Sequence, residues 1–103
     1  MAQAGSHPGE HLAVHLAELH MSAAELARHV QVPTNRITTI LQGKRAVTGD
    51  TALRLGHFFG TSPRHWLNLQ SQYELRCAIE KIGDSVERLP TIAQRSEVRH
   101  AAS

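Results

Sequence analysis

The sequence predicts an all-α fold of five helices with a short C-terminal extension, on three observations. Apolar residues recur at spacings of three and four almost throughout, no stretch alternates as a half-buried strand does, and Ser, Thr, Pro and Gly punctuate the chain at short-helix intervals. With 103 residues, 41% hydrophobic and 19% charged, the chain has room for one domain around one core. The expected organisation is a flexible segment over 1–6, one folded unit over 7–82, and a tail over 83–103 that is partly helical or disordered.

The first helix begins at Pro8, since proline suits the first turn, and Leu12, Leu16 and Leu19 follow at helical spacing to its end. Ser22 and Glu25 form a capping box that starts the second helix, whose inner face is Leu26, Ala27 and Val30. After a break at Gln31 and Val32, Pro33 permits a third helix with Ile37, Ile40 and Leu41 inward and Gly43 as its stop. Thr48 caps a fourth, carrying Ala52, Leu53, Leu55, Phe58 and Phe59 and ending at Gly60. Ser62 and Pro63 start a fifth, expected to run to about Ile82 with Gly83 beginning the tail. Beyond it Val86, Leu89, Ile92 and Val98 are sparse and Pro90 interrupts, which supports a short helix at best.

Eleven Lys and Arg against nine Asp and Glu give a formal charge of +2, so the placement of charge matters more than its sum. From Arg28 to Lys44 there is no acid, while Arg36 lies inside that span and Arg45 follows it. Within the same span two short helices meet through about three residues, with the small Ala27 where they cross and Val32 at the turn. That arrangement is a helix-turn-helix. With its isoleucines inward, the third helix turns Thr34, Asn35, Thr38 and Thr39 outward, beside Arg36 and Gln42. Such a face suits the major groove of DNA: asparagine pairs bidentately with adenine, and a threonine methyl meets that of thymine. Arg36, Lys44 and Arg45 are the expected phosphate contacts, adding affinity but little sequence information. A helical hairpin with an ordinary polar outer face is the alternative, and it leaves the missing acids unexplained.

Other chemistry finds little support. His7, His11 and His15 recur every four residues, a spacing that places two ligands on one helix face, yet no Asp, Glu or Cys completes a set; no metal and no cofactor is expected. Cys77 has no catalytic signature around it and reads as a small apolar residue, so no enzymatic activity is expected. A lone cysteine cannot form an intrachain disulfide, no apolar run is long enough to cross a membrane, and no secretory leader is legible. The cytoplasm is the expected location.

His7-Pro8-Gly9-Glu10, Glu25-Leu26-Ala27, Val32-Pro33 with Asn35-Arg36-Ile37, Gly43-Lys44-Arg45, Asp50-Thr51-Ala52-Leu53-Arg54-Leu55, Gly60-Thr61-Ser62-Pro63 and Trp66-Leu67-Asn68-Leu69-Gln70 occur in this order. Together they resemble the HigA antitoxin branch of the Cro/repressor-like helix-turn-helix family, over roughly His7 to Ala78. The resemblance implies a protein that neutralises a HigB toxin, an mRNA-cleaving endoribonuclease of the RelE type, and represses its own operon. It carries the recognition role onto Thr34, Asn35, Arg36, Thr38 and Thr39, with Lys44 and Arg45 at the DNA backbone. One departure is Gln31, where the family usually has glycine at the turn; if the left-handed backbone is kept there, glutamine bears a steric cost. A free-standing transcriptional regulator, or a helical adaptor without a toxin partner, remains the alternative.

The fifth helix carries more apolar width than one small domain needs: Trp66, Leu69 and Tyr73 on one stripe, and Leu67, Leu75, Ile79 and Ile82 along another. A homodimer through these residues is expected, which would set two recognition helices about 34 Å apart, one turn of DNA. A tail folded back over the second stripe is the alternative cover.

Overall fold

The structure is a computed structural model that describes residues 5–94. The described residues form five helices: α1 (Pro8–Leu19), α2 (Ala23–Val30), α3 (Thr34–Leu41), α4 (Gly49–Phe59) and α5 (Pro63–Glu87). The ends of the expected N-terminal segment and tail, 1–4 and 95–103, lie outside the described residues.

The starts of α1, α2 and α5 follow from side-chain capping. Ser22 and Glu25 do exchange backbone hydrogen bonds, at 3.1 and 3.0 Å. Ser62 Oγ accepts from the His65 N–H at 3.1 Å, with Pro63 opening the helix. Thr48 occupies the N-cap of α4 with extended backbone, but its side chain makes no capping bond.

The first four helices end by one device. A residue just past the helix turns left-handed, directly after α1, α2 and α4 and one residue later, at Gly43, after α3, and the next N–H reaches back five residues: Met21 to Leu16, Val32 to Ala27, Lys44 to Thr39, and Thr61 to Gly56, at 2.9 to 3.0 Å. Gly43 and Gly60 take that conformation without steric cost, whereas His20 and Gln31 take it at φ 52° and 59° as L-residues with a Cβ.

The core joins all five helices through fully buried Leu12, Leu26, Ile37, Ile40, Leu55 and Trp66. α3 packs on α2 and on α1, and α4 on the first half of α5. The α1–α3 approach requires Gly9: a Cβ there would sit 2.0 Å from the Ile40 carbonyl oxygen, far inside contact distance.

Two expectations fail here. α5 does not end at Ile82; it continues through Gly83 to Glu87. One interior glycine costs a helix only about 1 kcal/mol, too little to end it, whereas Pro90 excludes helical backbone at the residue before it. Residues 92–94 then form a single turn, begun by reciprocal bonds between Thr91 and Gln94. Trp66, expected at a subunit interface, is instead wholly buried in the chain's own core, with its indole N–H donating to Thr61 Oγ1 at 3.0 Å. The start of α5 lies against α4, so the tryptophan finds its cover within the monomer.

Candidate nucleic-acid interface

α3 sits with its apolar side sealed. Ile37 and Ile40 are 0% exposed, and Leu41 packs half-buried against the same cluster. The helical period therefore leaves Thr34, Asn35 and Gln42 exposed, with Arg36, Thr38 and Thr39 half-buried at the flanks. No side chain caps the first turn of α3 and no acid lies in it, so the positive end of its dipole is left for an anion.

The threonines divide by role. Thr39 Oγ1 donates to the Asn35 carbonyl at 2.5 Å and accepts from Arg45 Nε at 3.0 Å. Its hydroxyl is thus engaged within the protein and aims Arg45 across the C-terminal half of α3. Thr38 Oγ1 donates to the same Asn35 carbonyl at 3.3 Å. Thr34 and Asn35 are the exposed polar side chains of the helix's first turn.

Arg36 departs from its expected place among the phosphate contacts. Its guanidinium pairs with Asp50 of α4, which also accepts from Arg54 Nε at 3.1 Å. Arg54, and after it Arg36, holds the Asp50 carboxyl below its ordinary pKa. The acid missing from the linear stretch is therefore supplied in space by the next helix. Lys44 and Arg45 remain exposed in the loop after α3.

Several supporting residues escaped the reading of the sequence. Arg54 Nη1 donates to the Val30 carbonyl at 2.7 Å and the Gln31 carbonyl at 3.3 Å, satisfying the C-terminus of α2 at the turn. The four-residue spacing of Asp50 and Arg54 was the available signal. His7 caps α1 through Nδ1, accepting from the Gly9 N–H at 2.9 Å, and its position just before Pro8 was the clue. Burial pushes its pKa below the ordinary imidazole value, against the opposing pull of the Arg45 backbone and Glu10. Gln70 closes the family-like run that begins at Trp66, but nothing local marked its bond to the Val47 N–H, 23 residues away.

The histidine series of α1 has packing roles at two of its members: besides the His7 cap, the His15 ring lies 4.8 Å from Phe59 and 5.6 Å from Trp66. Among the described residues no group of three or more His, Cys, Asp or Glu is placed to hold a metal ion, and no helix is long and apolar enough to cross a membrane.

The expected dimer residues separate into two groups. Trp66 is core, Leu67 and Leu69 are half-buried against it, and Tyr73 lies between the His7 ring and the Arg76 guanidinium. Leu75 and Ile79 stay open, joined by Ile82 and Val86, all between 48% and 62% exposed. With Ala78, Gly83 and Glu87 they line a groove of about 390 Å³.

A helix-turn-helix family pattern matches residues 15–66. Virulence-associated protein I of Dichelobacter nodosus is 42% identical over 73 residues, which span 70% of this chain and 68% of that protein. The structure of an addiction module antidote protein of a HigA family from Coxiella burnetii is similar at 51% identity and a TM-score of 0.83, over 86% of this chain and 98% of that one. The Pseudomonas aeruginosa antitoxin HigA, solved with the higBA promoter, is similar at 36% identity and a TM-score of 0.81, over 85% and 98%.

Proposed function

This chain belongs to the HigA branch of the helix-turn-helix family, and from that premise we propose that it is an antitoxin which represses its own operon by reading operator DNA with α3. The observation that carries the reading is the seal beneath α3. With Ile37 and Ile40 fully buried, the helix has one orientation, and in it Thr34 and Asn35 project from an uncapped, acid-free N-terminal turn. Asn35 is the base reader, suited to adenine through its amide; Thr34, Thr38 and Gln42 line the same approach. Lys44 and Arg45 neutralise phosphates, and Arg36 serves mainly to brace α3 against α4 through Asp50.

In this reading the chain performs no catalysis and acts in the cytoplasm. Its toxin partner is a HigB-like mRNA endoribonuclease, and what supports that partner is the family membership rather than any surface feature.

The protein works as a two-fold dimer joined through the second half of α5. What supports this is the spacing of Leu75, Ile79, Ile82 and Val86, intervals of four, three and four that suit pairing with a second α5. A dimer presents two copies of α3 to successive major grooves about 34 Å apart. Ile79→Glu, which leaves the core untouched, should give a monomer by sedimentation, with operator binding weakened accordingly; an unchanged dimer would place the interface elsewhere.

The decisive test of DNA reading is Asn35→Ala, measured on a duplex from directly upstream of the chain's own reading frame and on a scrambled duplex. A loss of about 1 to 3 kcal/mol on the first, with little on the second, is expected. Equal losses on both would refute base reading by Asn35.

A further inference from the structure

Beneath the loop that carries Lys44 and Arg45 lie two buried polar side chains from outside the helix-turn-helix, His7 at 8% and Gln70 at 7% exposure. We propose that His7 and Gln70 are positioning residues for phosphate binding, holding the backbone of loop 43–47 from the N-cap of α1 and from α5. The proposal rests on the assignment of α3 and this loop to DNA.

The loop has no regular structure of its own beyond the turn that ends α3. Its far end is held by Gln70 of α5, whose Oε1 accepts from the Val47 N–H at 2.9 Å. The amide of Gln70 is oriented for this task, because its Nε2 donates to Glu74 Oε2, also at 2.9 Å. The near end is held by His7. With Nδ1 committed to the Gly9 N–H, the ring lies beside Gly43 at ordinary packing distance, its Cγ 3.8 Å from where a Cβ there would stand, and the Arg45 backbone pulls its pKa upward against burial. Tyr73 of α5 backs the ring edge-on, with centroids 4.8 Å apart.

One end of a five-residue segment is therefore hydrogen-bonded to a buried amide and the other packs beside a buried ring, while its two cationic side chains stay in solvent. Arg45 is further held by Thr39. A loop ordered beforehand loses less conformational freedom on meeting the phosphates, so the contact is stronger than two tethered cations on a mobile loop would make. Neither His7 nor Gln70 needs to touch DNA for this effect.

Two variants separate positioning from mere stability. His7→Asn keeps a short side-chain oxygen for the N-cap but withdraws the ring from Gly43, Arg45 and Tyr73. Gln70→Leu removes the acceptor for the Val47 N–H, and the charge-conserving exchange Gln70→Glu with Glu74→Gln restores it while keeping a donor–acceptor pair between the two positions. Affinity for the upstream duplex is measured against potassium chloride concentration, at a temperature where circular dichroism shows each variant fully folded, beside wild type and Lys44→Ala. Both clamp variants should flatten the log–log salt slope by about one unit, as Lys44→Ala does, and weaken binding about tenfold at low salt. They should still prefer the upstream duplex over a scrambled one, and the Gln70→Glu, Glu74→Gln exchange should recover the slope. A wild-type slope in folded His7→Asn and Gln70→Leu overturns the proposal. If Gln70→Leu does not fold, His7→Asn alone decides. Wild-type protein that prefers neither duplex would instead overturn the DNA-reading assignment itself.

Discussion

Replacing Gln31 by glycine should stabilise the protein, and the size of the gain follows from the backbone. Gln31 ends α2 at φ 59° and ψ 53°, and the turn it makes sets the angle between α2 and α3. Left-handed backbone costs an L-residue with a Cβ about 1 to 2 kcal/mol. Glycine escapes that cost but loses more freedom on folding, which returns about 0.4 to 1 kcal/mol. The difference is a net gain of about 0.5 to 1 kcal/mol, and for a domain of this size that raises Tm by about 2 to 8 °C. The side chain is exposed, so its removal sacrifices little packing, and the carbonyl that accepts from Arg54 Nη1 is retained. Thermal unfolding followed by circular dichroism provides the assay, with Gln31→Ala as the control that keeps the Cβ and should gain nothing. Operator affinity should stay within about twofold, because the turn geometry is the same. If Gln31→Gly melts no higher than Gln31→Ala, the turn is not strained and the reasoning fails.

Two further outcomes follow from the packing around α1. Gly9→Ala places a methyl 2.0 Å from the Ile40 carbonyl oxygen and must push α1 away from α3; a loss of about 1 to 3 kcal/mol in denaturant unfolding is expected, and a neutral result would mean that the two helices are not so close. His7, whose pKa burial lowers from 6.5, is neutral in both folded and unfolded chains well above that value and contributes no pH dependence there. As pH falls through 6.5 the unfolded chain binds a proton the folded one resists, so stability declines until the folded pKa is passed. Tm measured from about pH 7.5 to 5.5 should therefore fall more steeply in wild type than in His7→Asn; equal slopes would show that His7 is not desolvated.

Local chemistry settled much of this protein from the sequence alone. The ends of α1, the capping box of α2, the stop after α3 and the inward set of Ile37 and Ile40 depend on residues within one or two turns of each other, and such short-range rules need no tertiary knowledge. The exposed first turn of α3 followed directly from that periodicity, as did the left-handed turn at Gln31 from the family likeness.

Whatever required two distant segments to meet was decided only by the tertiary structure. Arg36 finds its acid on α4, Trp66 is covered by its own domain, Arg54 closes the end of α2, and Gln70 holds the loop that follows α3 through the Val47 N–H. Even the length of α5 belongs here in part: a glycine reads as a stop by habit, but its cost is small beside the continuing helix, which yields only near Pro90. A sequence shows which residues want burial or a partner. Only the packed chain shows which partner lies within hydrogen-bond reach, because that depends on distances set by every helix at once.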